Sequence, residues 1–94
     1  MKVEYSKRAL ADLRTIAAYF ANAGDPRVAD AVATAIRQTV DRIARHPESG
    51  RPVVQRPGLR VLLLPRYRYK IFYGTGADAI RIVHIRHTSR RPWP

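Results

Sequence analysis

The spacing of apolar residues changes along the chain. From Ser6 to Ala21, Ala9, Leu10, Leu13, Ile16, Ala17 and Phe20 recur at intervals of three and four, which lays one stripe along a helix. A second run from Pro26 to His46 repeats the spacing through Val28 or Ala29, Val32, Ala35, Ile36, Val40 and Ile43. Ser6 stands where an N-cap is needed. The break "NAGDP" supplies Asp25 as the next cap and Pro26 at the first helical turn, where a missing amide costs nothing. So short a connection predicts two helices lying antiparallel. Pro47 stops the second, and irregular backbone is expected from there to Gly58.

On either side of the helices the period is two. "KVEY" puts Val3 and Tyr5 on one face of a short strand and Lys2 and Glu4 on the other. Leu59–Leu64, Tyr67–Gly74 and Ala79–His87, separated by "PR" and "GTGAD", predict three strands joined as hairpins. In the middle strand Tyr67, Tyr69, Ile71 and Tyr73 oppose Arg68, Lys70 and Phe72. In the last, strict alternation sets Ile80, Ile82, His84 and Arg86 against Arg81, Val83, Ile85 and His87. Both faces are partly apolar, which suits helices on one side and a shorter covering, or a partner, on the other. The predicted fold class is α+β: a short N-terminal strand, an antiparallel helical hairpin and a C-terminal three-stranded antiparallel β-meander. With 94 residues the chain has room for one domain, spanning 1–94.

Charge adds a polarity to this plan. The formal net charge is +11. Residues 1–50 carry eight basic and six acidic side chains, whereas 51–94 carry ten basic ones and only Asp78 acidic. A positive field concentrated in the sheet-forming half favours a polyanionic partner, either nucleic acid or a strongly acidic protein. The absence of cysteine excludes disulfides, thiolate metal sites and a cysteine nucleophile. No apolar run reaches membrane-helix length, and Met1–Tyr5 lacks the apolar core of a secretion signal, so a cytoplasmic protein without membrane contact is expected. Phosphate-binding glycine loops are missing, and no cofactor is expected. His84 and His87, three apart on a strand, fall on opposite faces and do not form a metal pair; no metal site is expected.

What remains is chemistry with cations and imidazole. Metal-free RNA cleavage needs a group to take the 2'-hydroxyl proton, cations for the phosphate, and an acid for the leaving oxygen. Arg60, Arg68, Lys70, Arg81, His87 and Arg90 are the candidates, provided they converge on one face. The competing reading of Arg68, Lys70 and Arg81 is a solvated sheet face. For His84 it is a packing residue, and for His87 a local hydrogen bond to the turn that follows it. Tyr69 and Tyr73 read better as core residues with a satisfied hydroxyl than as base-stacking platforms. Trp93 is either a brace for the tail or a binding anchor.

"YSKRALADLRTIAAYF", "HPESGRP", "YRYKIFY", "IRIVHIRH" and the closing "RRP", in this order and spacing, resemble the RelE/ParE superfamily, the toxins of type II toxin-antitoxin modules. The resemblance covers nearly the whole chain. It implies a small growth-arresting, plasmid-stabilising toxin with this order of elements, neutralised by a cognate acidic antitoxin that covers the hairpin at Leu13, Ala17, Phe20, Val32 and Ile36 and adds a strand at a sheet edge. RelE-like members cleave mRNA on the ribosome, which would assign catalysis to Arg60, Arg68, Arg81, His87 and Arg90. ParE-like members are poisons of DNA gyrase and not enzymes. That would make Arg86, His87, Arg90, Arg91 and Trp93 a target-contact surface. The tail lacks the closing tyrosine of several RelE-like enzymes, and "VVQRPG" lacks their lysine-rich patch. The alanine-rich hairpin also looks like the ParE side, so the gyrase-directed reading is preferred to the mRNA endoribonuclease. A plain nucleic-acid-binding module is the further alternative.

Overall fold

The computed structural model describes residues 1–89. Strand β1 (Lys2–Tyr5) leads into helix α1 (Lys7–Asn22) and helix α2 (Pro26–Arg45). A single 3-10 turn (Pro47–Ser49) follows, then β2 (Arg51–Pro52), β3 (Leu59–Leu63), β4 (Tyr69–Thr75) and β5 (Ala79–His87). The α+β class and the strand, hairpin and meander order are as the sequence predicts. The meander, however, is the centre of a five-stranded sheet of order β1-β5-β4-β3-β2. Strand β1 joins β5 in parallel, and β2 joins β3 antiparallel.

The caps act as the sequence implies. The Ser6 hydroxyl accepts the Ala9 amide at 3.0 Å, and the Asp25 carboxylate accepts the Arg27 amide at 2.9 Å. Between the helices the chain reverses through Gly24 at φ +96°, a conformation that suits a residue without a Cβ. The hairpin lies on one face of the sheet. Ala9 and Ile16 of α1 and Val32, Ile36, Val40 and Ile43 of α2 pack with Tyr69, Ile71, Tyr73, Ile80, Ile82 and Ile85 of the central strands. Each Val or Ile among them contributes roughly 1.5–3 kcal/mol when fully buried, so this layer dominates stability.

Three expectations are corrected. The stretch after Pro47 is not irregular throughout. The Tyr73 hydroxyl donates to the Pro47 carbonyl at 2.7 Å and accepts the Gly50 amide at 2.8 Å, and this pins the 3-10 turn ahead of β2. A side chain at position 50 has no room: its Cβ would sit 2.9 Å from the Val61 carbonyl oxygen and 2.7 Å from the Tyr73 hydroxyl. The middle strand begins at Tyr69 and not at Tyr67, because Arg66 and Arg68 adopt φ of 75° and 58°, off the extended region.

The third correction matters most for function. In β5 the alternation does not run through. Phe72 pairs with His84 but Tyr73 pairs with Ile82, leaving Val83 as the extra residue of a β-bulge. Past the bulge the faces exchange: Ile85 and His87 turn to the helices, and His84 and Arg86 to the open face. Ile85 is therefore in the core at 2% exposure, where strict alternation would place Arg86 on that side.

Candidate functional site

The open face of the sheet can be read row by row from the strand register. One row crosses Leu63, Lys70 and Arg86. The next crosses Arg51, Val61, Phe72 and His84, and the third Leu59, Gly74 and Arg81. The loop after β2 rises beside the first two rows and closes a cleft of about 390 Å³, lined by Arg51, Pro52, Val53, Val54, Gln55, Arg56, Val61, Lys70, Phe72, Arg86 and Thr88. Four cations and no carboxylate line it, so its potential is positive. The floor is aliphatic and aromatic, yet Phe72 is itself buried and stacks against His84 at a centroid distance of 6.0 Å. Among the described residues this face presents no exposed ring on which a base could stack; the solvent-facing apolar groups beside the cleft are Val54 and Leu63.

The proposed catalytic residues among those described do not converge on one face. Arg60 lies in the row of Tyr73 on the helix side, where its guanidinium donates to the Gly50 carbonyl at 2.7 Å. His87 also faces the helix side. Its ring stands edge-on to Tyr69 at 5.2 Å, and its Nδ1 accepts the Ser89 amide at 3.1 Å and lies 2.6 Å from the Ser89 hydroxyl. Arg68 is exposed in the β3–β4 turn, and its carbonyl accepts the Thr88 amide at 2.7 Å, which makes it the one described candidate whose backbone lies next to His87. Arg81 is exposed on the open face, four strand positions from the Lys70–Arg86 row, or about 13 Å at the usual rise. Of the proposed contact residues Arg86 lines the cleft, while His87 does not. Arg90, Arg91 and Trp93 lie outside the described residues.

On the hairpin, Leu13 and Phe20 are half-buried and Ala17 is exposed, whereas Val32 and Ile36 belong to the core. Val32 and Ile36 are thus already covered by the sheet. Leu10, Tyr19 and Val28 provide the exposed apolar surface instead, at 42%, 64% and 38% exposure.

Sequence reasoning also missed Arg51 and Arg56 as cleft residues, since their place depends on the β2 pairing, and it missed Asp12. The Asp12 carboxylate receives the His84 ring at 2.6 Å and the Ile85 amide at 2.9 Å, and it lies 3.8 Å from the Arg8 guanidinium. A signal was present: Asp12 is an acid three residues after Ala9 and four before Ile16, inside the buried stripe of α1. Among the described residues no group of three potential ligands could hold a metal ion, and no helix is long and apolar enough to cross a membrane.

A chain of the chromosomal ParDE system from P. aeruginosa shares the fold with a TM-score of 0.81 at 24% identity, over 95% of this chain and 97% of that one. The isolated E. coli RelE toxin superposes with a TM-score of 0.65 at 13% identity, over 96% and 86%. A chain of the RelBE2 toxin-antitoxin complex from Mycobacterium tuberculosis gives 0.62 at 20%, over 92% and 95%. No curated protein sequence matches significantly. The family profile described as ParE toxin of type II toxin-antitoxin system, parDE, matches residues 3–92. That span runs from within β1 through the end of β5, and the chain belongs to the ParE toxin family.

Proposed function

We propose that this chain arrests growth by inhibiting DNA gyrase through binding alone, and that an acidic antitoxin encoded beside it neutralises the effect. The observation that carries this reading is the dispersal of the would-be nuclease residues. Arg60 is engaged by the Gly50 carbonyl, and His87 sits with Tyr69 on the far face from Lys70 and Arg81. General acid-base cleavage needs its acid, its base and its cations around one phosphate. A binding surface needs only contiguity, and Arg51, Arg56, Lys70 and Arg86 are contiguous around one cleft. Membership in the ParE family supports the same branch.

The antitoxin reading rests on the exposed Leu10, Tyr19 and Val28 of the hairpin together with the basic excess. Apolar anchors would supply affinity and the charge would supply association rate. The second reading, mRNA cleavage on the ribosome, is favoured by one feature: Lys70 and Arg86 side by side on an open face suit a phosphate. The experiment is to assay the purified protein in parallel for gyrase supercoiling and for message cleavage in a translating system. Inhibited supercoiling with intact message is expected. Codon-phased cuts abolished by His87→Ala, with gyrase untouched, would reverse the preference.

A further inference from the structure

We propose that Asp12 is the positioning residue of the basic cleft, holding the bulged half of β5 so that Arg86 stands beside Lys70. The inference rests on the reading that this face meets the target. Strand β1 stops at Tyr5, opposite Ile82, so β5 runs on beyond its parallel neighbour and its outer edge passes to α1. Two residues of that segment close the edge. Ser6 donates its amide to the Ile82 carbonyl at 2.9 Å and its hydroxyl to the Val83 carbonyl at 2.8 Å, on the near side of the bulge. Asp12 receives the His84 ring and the Ile85 amide with one oxygen, on the far side.

The bulge is thus clamped before and at its extra residue by the N-cap of α1, and after it by the second turn of that helix. Bulges serve to re-aim side chains, and the side chain re-aimed here is Arg86. An ionised carboxylate accepts only, so Asp12 fixes His84 with its proton on Nδ1 and holds the ring flat against Phe72, the cleft floor. Arg86 is flanked along β5 by Ile85 and across the sheet by Lys70. Like charges side by side repel, so their alignment has to be imposed by the backbone. Asp12 does not line the cleft; its influence on Arg86 passes through the backbone at Ile85.

A double-mutant cycle on the full-length chain tests this. Arg86→Ala, Asp12→Ala and the pair are titrated against gyrase supercoiling, alongside Asp12→Asn, which keeps an oxygen for the Ile85 amide. Each single alanine variant is expected to weaken inhibition about tenfold, the pair no more than either alone, and Asp12→Asn to recover most of the loss. Losses that multiply would overturn the proposal, since an Asp12 that only stabilised the fold would leave the contribution of Arg86 intact. Should Asp12→Ala not fold, Asp12→Glu, with its carboxylate displaced by one methylene, takes its place under the same criterion. Amide exchange at Ile85, followed by NMR, needs no target. The Asp12 variant should exchange there at least about tenfold faster while the β4 amides keep their protection. Unchanged exchange at Ile85 overturns the assignment even if inhibition falls. A wild type that leaves gyrase active defeats the target reading instead, and the exchange result alone then decides the role of Asp12.

Discussion

The two faces of the sheet are built from the same strands and are opposite in character. On the helix side Tyr73, Ile71, Ile80 and Ile82 are fully buried against the hairpin, and even the polar Tyr73 hydroxyl has both a donor and an acceptor. On the open side Lys70, Arg81 and Arg86 alternate with them. A stretch such as "YKIFY" therefore buries Tyr69, Ile71 and Tyr73 against the hairpin and turns Lys70 and Phe72 to the open face. The separation lets charge accumulate on one face without loss to the core, because Lys70 and Arg86 keep contact with solvent while their neighbours are buried.

Substitutions should separate the faces by size of effect. Ile82→Ala, in the centre of the buried layer, should cost about 2–5 kcal/mol of unfolding free energy in denaturant titration. Gly50→Ala should cost roughly 1–3 kcal/mol, because the added methyl meets the Val61 carbonyl and the Tyr73 hydroxyl. Tyr73→Phe leaves the Gly50 amide without its partner and should cost about 1–3 kcal/mol. If these variants were as stable as wild type, the helix side would not be the structural half.

Alkaline titration sharpens the same contrast. Burial, and then the Asp41 carboxylate, raise the pKa of the half-buried Tyr5 above its ordinary value of 10.0. The unfolded chain releases this proton first. The stabilisation is thus fully present below pH about 10 and is lost as the pH rises through the folded value. Tyr5→Phe should flatten the alkaline fall in stability, and the absorbance change lost with it should be one centred above pH 10.0. The smallest effect belongs to the open face: Lys70→Ala and Arg86→Ala should each change stability by less than about 0.5 kcal/mol.

The legible part of this molecule is the local part. Period, caps and breaks gave both helices within a residue or two, since Ser6, Asp25, Pro26 and Pro47 act on their immediate neighbours. The candidate site depended on contacts far apart in sequence. The bulge at Val83 follows from packing Ile85 while α1 holds the β5 edge, and a strict period of two cannot announce it. The position of Arg60 could not be read either, because its partner is the Gly50 carbonyl across the β2–β3 pair. Asp12, an acid within an apolar stripe, is a long-range contact with a local signature. It pointed to a buried partner without naming His84.

The central claim is that the open basic face, and not the hairpin-covered one, inhibits the target. Its most direct measurement is the gyrase supercoiling titration of Lys70→Glu/Arg86→Glu beside wild type, with thermal unfolding recorded on the same samples. Reversing two charges on a contact surface should weaken inhibition by about a hundredfold or more, with the folded structure retained. Full inhibition by the folded double variant would contradict the account.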